Sequence, residues 1–400
     1  MHDEHNDGNE RIAQGVGHAS GHDFDRVIDR RATSSSKWNK YDRDVLPFWV
    51  ADMDFEAPGF ILDRIRRRID HGILGYTETP PELIDAALAW LRTSFGWDVS
   101  PLWLVWLPGV VPGFNLACRV AGSPGDSVMM NVPVYHPFLS APGHGGRRSI
   151  EVPLADSGNE WVMDFDAMAA AASNDTRLFM LCNPQNPTGR VYRLDELEAL
   201  AEFALRRDML ICTDEIHCSL LLGEHQQHIP IATLSKDIEA RTITLMAPTK
   251  SYNTPGLSCG FAVIADAGLR RRYIEARAGL LPGIGPLAYL AAQAAYEDNS
   301  DWLPSLRRYL TDNRDLLESS IAQLPGVSMT HVEATYLAWL DVRELPVESV
   351  PRHFESHGIG LSDGNQFRGP GYMRFNFGCP RDTLKQGIAR LQAAVAALDS

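Results

Sequence analysis

Between Leu102 and Ile264 the chain alternates short, continuously apolar runs with amphipathic stretches, and few architectures accept that pattern. The runs are LVWL (104–107), SVMMN (127–131), RLFMLC (177–182), MLICTD (209–214), TITLM (242–246) and GFAVI (260–264). None alternates polar with apolar, so each needs cover on both faces, as the strands of a parallel sheet do. The stretches between them read as helices: in LDELEALAEFALRR (194–207), Leu197, Leu200, Ala201 and Ala204 share one face. Strands and helices in turn predict an α/β domain with a mainly parallel sheet. Beyond Leu269 the pattern becomes helical over 285–297 and 301–324, followed by strands at TYLAWLDV (335–342) and GYMRFNFG (371–378) and a last helix over 380–397. That is a smaller α+β domain. The expected division is a disordered polar tail over 1–22, an aromatic arm and part of the small domain over 23–70, the large α/β domain over 71–298, and the small domain over 299–400.

Composition narrows the partners. With 37 basic and 51 acidic side chains the net charge is −14, and no basic stripe exists to meet a nucleic-acid backbone. The most apolar stretch, Leu102–Cys118, approaches the length of a membrane span, but Pro108, Gly109, Pro112 and Gly113 divide it into a strand, a turn and a helix start. The N-terminus lacks a basic start followed by an apolar run, so no signal peptide is expected. Cysteines 118, 182, 212, 218, 259 and 379 are scattered without CxxC spacing, which suits reduced, buried thiols in a cytoplasmic protein. His2, His5, His18 and His22 dot the tail without cysteine or helical spacing, so a solvated tail is expected rather than a metal site.

Polar groups gather where the predicted strands end, which is where open α/β sheets bind ligands. Pro108-Gly109-Val110-Val111 follows LVWL and opens a helix, whose free N–H groups and positive dipole end suit a phosphate. Asn183-Pro184-Gln185-Asn186-Pro187-Thr188-Gly189 follows RLFMLC, Thr213-Asp214-Glu215-Ile216-His217 follows MLIC, and Ala247-Pro248-Thr249-Lys250-Ser251 follows TITLM. A phosphate cradle, a carboxylate, an amide and a lysine on strand ends are what pyridoxal phosphate needs: a Schiff-base amine, an acid for the pyridine nitrogen, donors for the ring oxygen and an anion site. The GxGxxG of a dinucleotide fold and the GxxxxGK[ST] of a P-loop are both absent.

The segments FDRVIDRRATSSSKWNKYD, PFWVADMDF, HGILGYTE, LPGVVPGFNLA, CNPQNPTGRVY, DEIHCSLLL, PTKSYNTPGL, ATYLAWLDV and MRFNFGCPR run from Phe24 to Arg381. In that order they resemble the fold type I, class I/II aminotransferase superfamily of pyridoxal phosphate (PLP) enzymes. The resemblance is nearest to the MalY/PatB-type C–S lyases, also called cystathionine β-lyases. It implies that Lys250 forms the Schiff base, that Asp214 pairs with the protonated pyridine nitrogen, and that Asn186 and His217 bond the ring oxygen. For Asp214 a helix N-cap and for His217 a satisfied core histidine remain alternative readings. Tyr135 would stack on the ring, and Tyr135 and Asn186 would help hold the substrate. Val110 and Val111 would offer N–H groups to the phosphate, with the Thr249 hydroxyl, and Asn183 would cap its turn. Tyr76 would reach the phosphate or substrate across the interface of a homodimer, and Arg374 would clamp the substrate carboxylate. Many aminotransferases carry an arginine eight residues after the lysine to hold the phosphate; this chain has Ser258 there.

The reaction implied is β-elimination from an amino acid with sulfur on Cβ, such as L-cystathionine, giving a thiol, pyruvate and ammonia. An aminotransferase shares the early steps and stays the enzymatic alternative; a regulatory role through binding another protein on the same scaffold is a second. Neither a metal nor a membrane enters any of these readings.

Overall fold

The computed structural model describes residues 22–158, 160–223 and 226–398. The expected disordered tail, apart from His22, lies outside the described residues.

The apolar runs form one seven-stranded sheet. In chain order its strands are β1 (Leu104–Leu107), β2 (Ser127–Val132), β3 (Arg148–Pro153), β4 (Thr176–Cys182), β5 (Leu210–Asp214), β6 (Thr242–Met246) and β7 (Gly260–Val263). Their spatial order is β1-β7-β6-β5-β4-β2-β3. β3, β2, β4, β5 and β6 pair in parallel, whereas β7 runs antiparallel to both β6 and β1. Successive side chains of each run go to opposite layers. Leu178, Met180 and Cys182 pack with Phe114 and Leu116 of the helix Val110–Val120, while Phe179 and Leu181 pack with Leu197 and Leu200 of the helix Leu194–Arg206. Two-sided cover explains why the runs are continuously apolar.

A second sheet has four strands: β8 (Ser328–Met329), β9 (Leu337–Asp341), β10 (Ser362–Asp363) and β11 (Tyr372–Asn376), in the order β8-β9-β11-β10 and antiparallel throughout. The helices Trp302–Ile321 and Arg381–Ala396 pack on it. β9 and β11 are shorter than the sequence suggests because the chain turns at Thr335 (φ 75°) and Gly371 (φ 80°). Among the described residues no helix is long and apolar enough to cross a membrane.

The aromatic arm has little regular structure and belongs to the core of the second sheet: Phe24, Phe48, Met53 and Phe55 are buried among Leu337, Phe375 and Leu384. Leu46–Pro47 pairs in parallel with Ile359–Gly360. A buried charge cluster pins it. Lys37 Nζ donates to Asp54 Oδ2 at 2.6 Å and to the Asp52 carbonyl at 2.9 Å, Arg30 bridges Asp52 at 2.7 Å and Asp54 at 2.8 Å, and Trp38 Nε1 donates to Asp54 Oδ1 at 2.7 Å. Removing one partner strands a buried charge, which costs far more than breaking an exposed pair. Lys37→Met is therefore expected to lower unfolding free energy by about 3 kcal/mol in denaturant titration, and Arg26→Ala, which breaks an exposed pair with Glu56, by about 0.5 kcal/mol or less.

Candidate active site

All the parallel strands, and β1 with them, end at the same edge of the large sheet, and a cavity of about 290 Å³ lies there. Each strand end delivers one part of its wall. β1 leads through Gly109, at φ 100°, into the helix Val110–Val120; glycine tolerates that conformation, and the helix start leaves N–H groups unpaired beside the cavity. Tyr135 arrives after β2, Asn186 after β4, Asp214 at the end of β5 with His217 in the following turn, and Thr249 and Lys250 after β6. The second sheet contributes Ser362 and Arg374, and Phe367 comes from the loop between their strands.

Lys250 Nζ donates to the Ala51 carbonyl at 2.6 Å. Burial pushes its ammonium down to about 8, with Asp52 and Asp214 pulling it up and Arg374 pushing it down, so a useful fraction is neutral amine near neutral pH. Asp214 is buried and accepts one hydrogen bond, from Ile216 N–H to Oδ1 at 3.1 Å. Burial raises its carboxyl to about 7. His217 is held neutral by burial, with Lys250 and Arg374 adding to the effect, and its Nδ1 has no hydrogen-bond partner. Arg374 donates from Nη1 to Asn186 Oδ1 at 3.0 Å and from Nη2 to the Trp49 carbonyl at 2.8 Å, its guanidinium 4.6 Å from the Phe367 ring centre. Its Nε is buried without a partner, and burial lowers the guanidinium pKa to about 10.

These groups are incomplete in one consistent sense. A buried carboxyl has no ion-pair partner, a buried guanidinium lacks an anion, an imidazole nitrogen lacks a partner, and an amine titrates near 8. A protonated pyridine with an aldehyde, a ring oxygen and a phosphate fits that donor set, with room beside Arg374 for a carboxylate.

Nine of the ten residues singled out from the sequence line this one cavity: Val110, Val111, Tyr135, Asn186, Asp214, His217, Thr249, Lys250 and Arg374. Tyr76 does not. It is fully exposed and lines a separate hollow of about 980 Å³ with Arg277 and Tyr289; the two hollows meet at Pro108. Asn183 is buried, its Oδ1 accepting the Tyr192 N–H at 3.2 Å across the turn. Ser258 also lines the cavity and donates to the Pro255 carbonyl at 3.5 Å, so the described lining cations are Lys250 and Arg374.

Sequence reasoning missed the arm's share. The carbonyls of Trp49, Val50, Ala51 and Asp52 are taken by Arg374 and Ser362, by Asn376, by Lys250 and Tyr336, and by Asn376 and Lys37, respectively. PFWVADMDF stood out as a motif, but carbonyl acceptors leave no mark on side-chain identity.

Residues 43–391 match the model of the family described as aminotransferase class I and II. The chain is 35% identical over 387 residues to cystathionine beta-lyase PatB of Bacillus subtilis (strain 168), covering 93% of this chain and 100% of PatB. The crystal structure of OvoB superposes with a TM-score of 0.92 at 44% identity, covering 94% of this chain and 99% of that one. The PLP-bound C–S lyase from Staphylococcus hominis superposes with a TM-score of 0.87 at 31% identity, covering 94% and 99%.

A carboxyl raised in the folded state from an ordinary 3.8 to about 7 favours folding in acid, and that advantage is lost as pH rises through about 7. Asp214→Asn removes the penalty. In calorimetry of the cofactor-free protein the variant is expected to melt a few degrees above wild type at about pH 8 and to match it near pH 4; equal melting at both would contradict the burial of an uncompensated acid.

Proposed function

The chain belongs to the aminotransferase class I and II family, and from that premise we propose that it is a PLP-dependent carbon–sulfur lyase in the branch that includes PatB. Its substrates are L-amino acids with sulfur on Cβ, L-cystathionine among them, and its products are a thiol, pyruvate and ammonia. The observation that carries the reading is the convergence of a near-neutral amine, a buried carboxylate and a buried guanidinium on one cavity beside a helix N-terminus.

When bound, the cofactor supplies an aldehyde that condenses with amines and a pyridinium that draws electrons from the substrate's Cα. Lys250 would hold the cofactor through its Nζ amine, and the same amine, once free, would serve as the base at the substrate's Cα proton. Its lowered proton affinity suits both tasks. Asp214 accepts the pyridine N–H and keeps that nitrogen protonated, which in turn keeps the carboxylate ionised. Asn186 and neutral His217 would be the partners of the cofactor's ring oxygen, and Tyr135 would help hold the ring. The N–H groups of Val110 and Val111 and the Thr249 hydroxyl receive the phosphate, with Ser258 where an arginine could have stood. Arg374 takes the substrate carboxylate through a guanidinium that Asn186, Trp49 and Phe367 already orient. As the Cβ–S bond breaks, the electron pair of the former Cα–H bond becomes the Cα–Cβ double bond; the sulfur departs as thiolate, and Lys250 can return the proton to it. Water then releases ammonia and pyruvate.

We also propose a homodimer in the cytoplasm. Ile73, Leu74, Tyr76 and Leu280 are exposed apolar groups, and Tyr76 beside a hollow that adjoins the site is explained if it serves a partner subunit. Six buried, unpaired cysteines accord with a reducing compartment.

Wild type with PLP is expected to release thiol and pyruvate from L-cystathionine in equal amounts, and Lys250→Ala to lose at least about a thousandfold in rate. Glutamate formation from 2-oxoglutarate without pyruvate would instead mark an aminotransferase. In a second experiment, inactive Lys250→Ala and Tyr76→Ala chains are unfolded and refolded together. If Tyr76 serves the neighbouring site, hybrids carry one intact site and the mixture regains about a quarter of wild-type activity; no recovery would contradict the shared site.

A further inference from the structure

The turn after β5 carries a second acid that the proposed reaction does not use. Along β5 the side chains alternate between layers: Ile211 packs on the side of the helix Leu194–Arg206 and Cys212 on the side of the helix Val110–Val120. Asp214 keeps the parity of Cys212 and lines the cavity, whereas Glu215 is absent from its lining. The Glu215 carboxylate is nevertheless sealed from water. Thr213 Oγ1 donates to its Oε1 at 3.1 Å, and His228 Nε2 donates to its Oε2 at 2.7 Å. Side-chain exposure is 1% for His228 and 0% for Glu215, so the pair is as dry as any among the described residues.

Two neighbouring carboxylates in such surroundings oppose each other's ionisation. The Glu215 charge bears on Asp214 and works against the ionised form that a pyridine N–H requires. Among the described residues, the basic side chain set against Glu215 is His228. The edge of the Phe95 ring lies against the imidazole at 5.6 Å, and the titratable groups that share its hollow, of about 470 Å³, are Cys218 and Arg307. Arg307 is directed elsewhere, donating from Nε to the Leu221 carbonyl at 2.6 Å. His228 Nδ1 is buried without a partner, a smaller cost than a dry carboxylate with no counter-charge.

We propose that His228 is a positioning residue for the reaction: as an imidazolium it neutralises Glu215, leaving Asp214 as the one acidic charge beneath the cofactor's ring nitrogen, and through Glu215 it fixes the turn that presents Asp214 and His217. This rests on the role given above to Asp214. The backbone of Glu215 is part of that turn: its N–H donates to the Leu245 carbonyl at 2.9 Å and its own carbonyl accepts the Cys218 N–H at 3.0 Å.

The test follows the pH midpoint of the visible absorbance band of the PLP-loaded protein. His228→Gln keeps a donor to Glu215 and removes the cation; the added negative field favours protonated forms, so the midpoint is expected to rise by about one unit. The double variant His228→Gln/Glu215→Gln removes both charges and is expected to return the midpoint to wild type. A His228→Gln protein that only melts earlier, with an unmoved midpoint, would overturn the proposal and leave a packing role. Nitrogen NMR of labelled histidine in the loaded wild type keeps the test open should the variants fail to fold: imidazolium at neutral pH is expected, and a neutral ring overturns it. Asp214→Asn separates the two levels. If that variant also leaves the band unmoved, the role of Asp214 fails and this proposal with it; if Asp214→Asn moves the band and His228→Gln does not, only this proposal fails.

Discussion

Burial of charge at the edge of the large sheet is the constraint on which the rest of the structure depends. Lys250 and Asp214 from the large sheet and Arg374 from the second reach one small cavity, and all three are displaced from their ordinary proton affinities because water is kept out. A fold that left them solvated would leave the lysine almost fully protonated and the acid a weak partner for a ring nitrogen. Exclusion of water needs a wall on the side away from the large sheet. The Trp49–Asp52 segment supplies it, its carbonyls satisfied one by one by side chains from both sheets.

That segment also explains why a stretch without regular structure can be held so firmly. Its carbonyls are spent on side chains instead of a ladder, and the Lys37–Asp54–Arg30 cluster anchors it behind the cavity. The arm is therefore part of the cavity wall and part of the second core at once. The Arg374 guanidinium is itself tied to this segment through the Trp49 carbonyl.

The large sheet was legible because its strands are buried on both faces, which writes continuous apolar runs into the chain, and because helices such as Leu194–Arg206 show a clean apolar stripe. The polar groups at the strand ends were legible for a related reason: after a fully apolar run, an asparagine, aspartate or lysine has no structural cause to sit where it does. Less legible were contacts made by backbone carbonyls at 49–52, and the Tyr336 hydroxyl that reaches Ala51, since nothing in residue type announces them. Tyr76 shows a different limit. Its motif marks a role, but the chain by itself leaves it on the surface, because its proposed site belongs to another subunit. Ser258 was visible as a departure, and the structure sets it in the cavity wall, where the described lining cations are Lys250 and Arg374.

The most direct measurement is borohydride trapping. The protein is incubated with PLP, reduced, digested and mapped by mass spectrometry. The account predicts a pyridoxyl mark on the peptide that contains Lys250, lost when a competing amine occupies the site before reduction. A mark confined to another lysine, or none in a protein that still binds the cofactor, would contradict it.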